Sequence, residues 1–307
     1  MNTTPTTTAR EDLTSRAMIV SLNISQWTAR KTDKRVSDQV ARDNGASADA
    51  GKYNKSLVAR EALENIAECV TAAREFHYAQ TLPWLDSGAR VLPAANFFSY
   101  RSQMNVFTHR FYGAVADFIG NYPAAVDEAK DRLGSMFSPA DYPDSAKIAN
   151  AFKMGVRFMP LPDSNDFRVQ LSAEDTARVK ADIEKDVRSA TQTAMADLWK
   201  RIHDAVTHMA DRLRKYSIDA TTGKAANPFR DSLVENLREL VEILPRLNFT
   251  GDAKLSAMHQ QIAAELTAID AADLRTDANA RGRVATAAEQ ILATMESRMA
   301  EFMVEVK

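Results

Sequence analysis

A single cysteine, Cys69, stands in the 307 residues and has no second cysteine to pair with. A disulfide framework and a thiolate zinc site are both excluded, and a reducing compartment fits. Long apolar runs are missing as well: no window approaches the ~18 uninterrupted apolar residues of a membrane span. The Thr-rich start, Met1 to Arg10, has no basic region leading into an apolar core, so the chain is expected to be neither secreted nor membrane-embedded, and no membrane partner is expected. Charge of one sign is absent too. The chain carries 39 basic and 41 acidic residues, a net charge of −2, with 20 basic against 19 acidic up to Leu171 and 19 against 22 beyond it. That balance excludes a broad electrostatic footprint for nucleic acid.

The signatures of catalysis are also missing. The five histidines, His77, His109, His203, His208 and His259, include no pair four residues apart, the spacing that turns two imidazoles toward one metal ion. His203 and His208 are separated by about 140° around a helix. Gly223-Lys224 looks like the end of a phosphate-binding loop, but Ile218 stands where that loop needs glycine and Ala225 where it needs Ser or Thr. No G-x-G-x-x-G and no G-x-S-x-G occurs. The protein is therefore expected not to be an enzyme, with no catalytic residues, no cofactor and no metal.

What is present is an ordinary globular composition, 45% apolar and 26% charged, in a chain long enough to bury roughly three quarters of its unfolded surface. Met18, Val20, Leu22 and Ile24 alternate with polar residues, the period of a strand with one wet face. Phe152, Met154, Val156 and Phe158 alternate in the same way, as do Phe167, Val169 and Leu171 across the turn-rich Pro160 to Asp166, which predicts an antiparallel hairpin. Between these runs the sequence predicts a polar linker over Lys31 to Lys55, a helix over Ser56 to Gln80, and a loop over Leu82 to Phe97. A second helix follows over Ser99 to Gly120, then a short third one beginning at Pro123 and ending at Gly134.

From Ser172, an N-cap with Asp175 three residues on, the pattern predicts one helix of ~44 residues with no Gly or Pro to break it. Its stripe runs from Val179 through Leu198 to Tyr216. Further helical patterns follow, the first opened by Asn227-Pro228 and closed by Pro245, then Leu255 to Ile269 and Leu274 to Phe302. The fold expected is α+β and mainly helical: a small antiparallel three-stranded sheet with helices in a head domain over 16–171, and an extended antiparallel, coiled-coil-like helical arm over 172–307. Residues 1–15 are expected to be a disordered tail.

Two segments are candidates for binding. Trp27 followed by Arg30, Lys31, Lys34 and Arg35 sets an aromatic platform beside four cations, an arrangement suited to a nucleic acid backbone with one stacked base. The same residues also suit a Trp closing a sheet edge before a solvated linker. Met159 before Pro160 and Leu161 between Pro160 and Pro162, with Phe167 and Arg168 beyond, form a candidate protein-docking segment; the alternative is a turn that packs on a neighbouring helix.

Four stretches taken together, SLNISQWTARK at Ser21 to Lys31, SPADYP at Ser138 to Pro143, FMPLPDSNDFRV at Phe158 to Val169 and NPFRDSLVENLRELVEILPRLN at Asn227 to Asn248, resemble a domain-of-unknown-function family of tailed bacteriophages and bacterial mobile elements. The resemblance covers most of the chain. Genes of that family often neighbour a MoxR-type AAA+ ATPase and a von Willebrand A-type protein. The resemblance thus implies a phage-encoded, non-catalytic interaction protein in the cytoplasm of a bacterial host, an adaptor or assembly partner of an AAA+ ATPase. A homo-oligomer, a nucleic-acid-binding accessory protein and a structural or assembly component of the virion are the alternatives.

Overall fold

The computed structural model describes residues 13–85, 88–166, 169–219 and 222–305, with side chains up to 296. The expected disordered tail lies, up to residue 12, outside the described residues. The protein is mainly helical with a small antiparallel sheet. It divides into two compact units, each assembled from separate stretches of chain: one holds the described residues up to Val20, Gln80–Phe98 and those from Phe158 on, the other Ser21–Ala79 and Ser99–Arg157. The division therefore differs from the expected boundary at Leu171.

β1 (Ala17–Ser25), whose residues up to Val20 belong to the first unit, pairs there antiparallel with β5 (Arg90–Pro93), Ile19 opposite Val91, and β5 pairs with β4 (Leu82–Pro83). With β6 (Lys153–Pro160) on the other side of β1, the strand order is β4-β5-β1-β6. The sheet thus has four strands rather than three. The stretch expected to be a loop supplies two of them, short strands joined through Gly88 at φ +73°, a conformation that favours glycine. Two and four residues are too few for alternation to register. The expected hairpin partner of β6 is absent from the described residues: Phe167 and Arg168 lie outside them, and Val169 and Leu171 are exposed and in no strand.

The long helix forms as its sequence dictates. α5 (Ala173–Lys215) starts at Ser172, whose Oγ accepts from the Asp175 amide at 3.1 Å and donates to the Asp175 carboxylate at 2.6 Å. Its buried stripe runs from Val187 to Leu213, with Leu198, Val206 and Met209 fully inaccessible. α6 (Ser232–Leu247), α7 (Ala253–Glu265), α8 (Ala271–Thr276) and α9 (Ala278–Glu305) complete this unit, and α9 packs most extensively along α5. Asn227 does not cap the next helix. Its side chain donates to the Lys215 carbonyl at 3.1 Å, closing α5 instead, and α6 begins only at Ser232. Pro245 sits inside α6, close enough to its end to cost little.

The second unit packs α2 (Glu64–Gln80) and α3 (Phe97–Leu133) around Ile66, Val70, Tyr100, Phe111 and Phe118, and the short α4 (Ser145–Ala151) follows them in the chain. Phe111 and Phe152 meet edge-on, and a buried hydrogen bond of 2.7 Å joins His77 Nδ1 to the Tyr100 hydroxyl. Pro123 starts no new helix: α3 runs through it and stops at Gly134, whose φ is +50°. Pro123 is exposed, on the side where the lost backbone donor is replaced by water. The expected linker is also structured. β2 (Arg30–Thr32) pairs with β3 (Asn54–Ser56), and α1 (Lys34–Asp43) lies between them in sequence, capped by Asp33. α1 buries none of its residues, so no apolar periodicity announced it.

Candidate interaction groove

The β2–β3 hairpin is fastened by one buried lysine. Lys55 is 5% exposed, and its Nζ lies 2.7 Å from Asp141 and 3.5 Å from Asp33 and donates to the Met136 carbonyl. A buried ammonium is tolerable only when partnered this fully. Burial alone pushes the Lys55 pKa down, but the hydrogen bond and charge of Asp141, joined by Asp33, outweigh it and the net shift is upward. The Val36 amide holds Asp33 below the usual carboxylate range against the opposing push of burial, and Lys55 adds to the lowering. One carboxylate thus caps α1 and pairs with the hairpin. Arg132 donates to the Ser56 carbonyl at 2.8 Å and the Tyr142 hydroxyl to that of Leu57, also at 2.8 Å. Ala29, buried at φ +51°, is held by the Leu57 amide at 2.7 Å. That strained turn sets the base of the hairpin.

Between this anchored base and α2 lies an open groove of about 620 Å³. Its α2 wall follows from helical spacing: Glu64, Glu68, Thr71 and Glu75 recur every three or four residues and form one exposed stripe, opposite the face that buries Ile66, Val70 and Ala73. Ala67 and Ala72 beside the stripe, with Ala29, Val58 and Ala59 facing it, keep the lining small. Arg30 from β2 and Arg60 from the turn before α2 complete the lining and are exposed. Among the described residues, none of these three glutamates or two arginines forms an ion pair within the chain. The arrangement suits a polypeptide carrying both charges, and three carboxylates along one wall oppose a polyanion. No group of three or more His, Cys, Asp or Glu able to hold a metal ion is found among the described residues.

The residues singled out from sequence fall in different places. Trp27 is half-buried, its ring 6.0 Å from Phe118 and 5.9 Å from Tyr122, inside an aromatic cluster rather than standing free as a stacking platform. Arg30, Lys31, Lys34 and Arg35 are exposed, but only Arg30 reaches the groove, and Arg35 donates to the Ser135 carbonyl at 3.4 Å. In the other unit, Leu161 is buried in the core and Met159 packs against it, while Ser164 donates to Glu184 of α5 at 2.9 Å. That turn packs on its own unit. Phe167 and Arg168 lie outside the described residues. Glu64, Glu68, Glu75 and Arg60 were not singled out, although the recurrence of glutamate on one helical face was there to be read. No protein-family model, curated protein or solved structure matches the chain.

Proposed function

We propose that the protein is a non-catalytic interaction protein, an adaptor or assembly partner, that holds a segment of another protein between α2 and the β2–β3 hairpin. The observation that supports this reading is the groove: small residues leave room for another chain, and three carboxylates and two guanidinium groups wait for opposite charges. The matching segment carries Lys or Arg along one face and at least one acidic group at the arginine end. Following the resemblance, the partner proposed is a MoxR-type AAA+ ATPase in the bacterial host cytoplasm, with the motor supplying the nucleotide chemistry. In this reading the first turns of α5, where Val179 and Ile183 are only half covered, serve as the coiled-coil-like arm.

The nucleic-acid alternative draws on the exposure of Arg30, Lys31, Lys34 and Arg35, and is opposed by the packed Trp27 ring and the glutamate wall.

Co-purification of the tagged protein from cells that carry its gene, with mass spectrometry, tests both. The parent is expected to retain an AAA+ ATPase at ~50 mM salt, and Glu64→Lys/Glu68→Lys/Glu75→Lys to retain about tenfold less. Equal retention by parent and variant overturns the groove. The parent is also expected not to retard DNA or RNA at ~50 mM salt; retardation lost on replacing the four cations by Ala establishes the nucleic-acid alternative instead.

A further inference from the structure

Phe229 is buried just ahead of α6, its ring 5.1 Å from that of Tyr216 and the Arg275 guanidinium over it at 5.7 Å. This anchor sets the residues that follow it against α5, and a cavity of about 210 Å³ is lined by both. From α5 come His208 and Arg212, one turn apart; from the other side come Arg230 and, one turn apart on α6, Ser232 and Asn236. The rest of the lining is apolar, and among the described residues no carboxylate belongs to it. Of the acidic residues adjacent in sequence, Asp211 pairs with Lys215 at 3.2 Å and Asp231 with Arg275 at 2.6 Å. Glu235 stands about 100° around α6 from Asn236.

Other arginines of this unit have carboxylate partners, Arg201 in Asp197, Arg214 in Glu289 and Arg238 in Asp270. Among the described residues Arg212 and Arg230 have none within the chain, and the side chains of His208, Ser232 and Asn236 hydrogen-bond to nothing in it. Five side chains able to donate, at least two of them cationic, thus meet around one cavity and are open to solvent. We propose that this cavity binds the phosphoryl group of inorganic phosphate or a phosphate monoester. A carboxylate brings one charge and two oxygens, too little for two guanidinium groups and three further donors. A phosphoryl group brings nearly two charges and three strong acceptor oxygens, in a shape that guanidinium forks match. At about 210 Å³ the cavity is smaller than the roughly 300–1,000 Å³ of a site that encloses a whole small molecule, so it takes the phosphoryl end and leaves what carries it in solvent. The site belongs to the first unit and does not depend on the groove on α2.

Isothermal titration of the full chain with inorganic phosphate and, separately, with O-phosphoserine provides the test, at about pH 7.5 where both are largely dianionic and at ~150 mM NaCl where loose attraction to surface charge is screened. Each is expected to fill one site per chain with a dissociation constant on the order of 1 mM or tighter. Arg212→Gln and Arg230→Gln are each expected to weaken binding by at least about tenfold, with thermal unfolding unchanged because both positions are exposed. Arg188→Gln, exposed nearer the start of α5, is expected to leave binding as it is. Tighter binding of phosphoserine supports the site and makes an ester its ligand; tighter binding of inorganic phosphate supports it and makes the free ion its ligand. No saturation by either at ~10 mM overturns the proposal, as does acetate binding as tightly as phosphate, or binding indifferent to both cavity arginines.

Discussion

Leu198→Asp is expected to abolish cooperative unfolding of the first unit and leave the protein aggregation-prone. Leu198 is fully buried near the middle of α5, in the cluster that includes Met195, Trp199 and Ile202. Truncating such a leucine already costs about 2–5 kcal/mol, and a carboxylate there has no partner and no water, adding several kcal/mol more. The sum is comparable to the whole stability of a domain, about 5–15 kcal/mol. The control lies two residues on. Lys200 is exposed and paired only with Asp204 one turn away, so Lys200→Ala should stay within about 0.5 kcal/mol of the parent. Thermal unfolding followed by circular dichroism separates the two variants, and equal transitions would mean that the α5 stripe is not the core of this unit.

Lys55→Met should be the next most damaging change, with its effect in the second unit. It leaves Asp33, Asp141 and the Met136 carbonyl facing an apolar side chain. The two carboxylates are 11% and 16% exposed and recover part of their hydration, so the loss is expected near 2 kcal/mol rather than the larger penalty of a fully buried orphan. The pH dependence follows from the signs. Asp33 is lowered, so its contribution is present above the ordinary carboxylate pKa and disappears as pH falls through the depressed value. Lys55 is raised, so its contribution is present below the ordinary lysine pKa and is lost only as pH rises past the raised one. The difference between parent and variant should therefore be flat from about pH 5 to 9 and narrow below about pH 4 as Asp33 protonates. In the first unit, the Ala280 amide lowers Asp277 and the Arg214 hydrogen bond lowers Glu289, so that unit also weakens in acid. Urea unfolding between pH 3 and 9 measures all of this, and a gap that widens in acid contradicts the assignment.

The elements legible in the sequence are those whose local pattern agrees with their packing. α5 could be read to within a residue of both ends because Ser172 caps it and no Gly or Pro interrupts it. β1 alternates, although Ala17, Ile19 and Val20 are all buried because both faces of its first half are covered. α1 escaped because a helix that buries nothing leaves no apolar stripe, and β4 and β5 because they are shorter than one reliable period. Pro123 and Asn227 misled for a common reason. Each has a usual local role, and tertiary context gave it another, an exposed position inside α3 and a cap on the end of α5. The groove was half legible. Glutamates recurring along α2 are ordinary surface charge until the fold brings Arg30 and Arg60 into the same lining.

Whether another protein occupies that lining is measured most directly by a photo-crosslinking residue at Ala67, an exposed position between Glu64 and Glu68, with the same residue at Lys200, exposed in the second half of α5, as the control. Irradiated in cells that carry the gene, the Ala67 variant should give one discrete adduct with a second polypeptide. Combining it with Glu64→Lys/Glu68→Lys/Glu75→Lys should remove that adduct, and the control should not form it. No adduct at Ala67, or an adduct indifferent to the reversed charges, would contradict the groove as the place where this protein meets its partner.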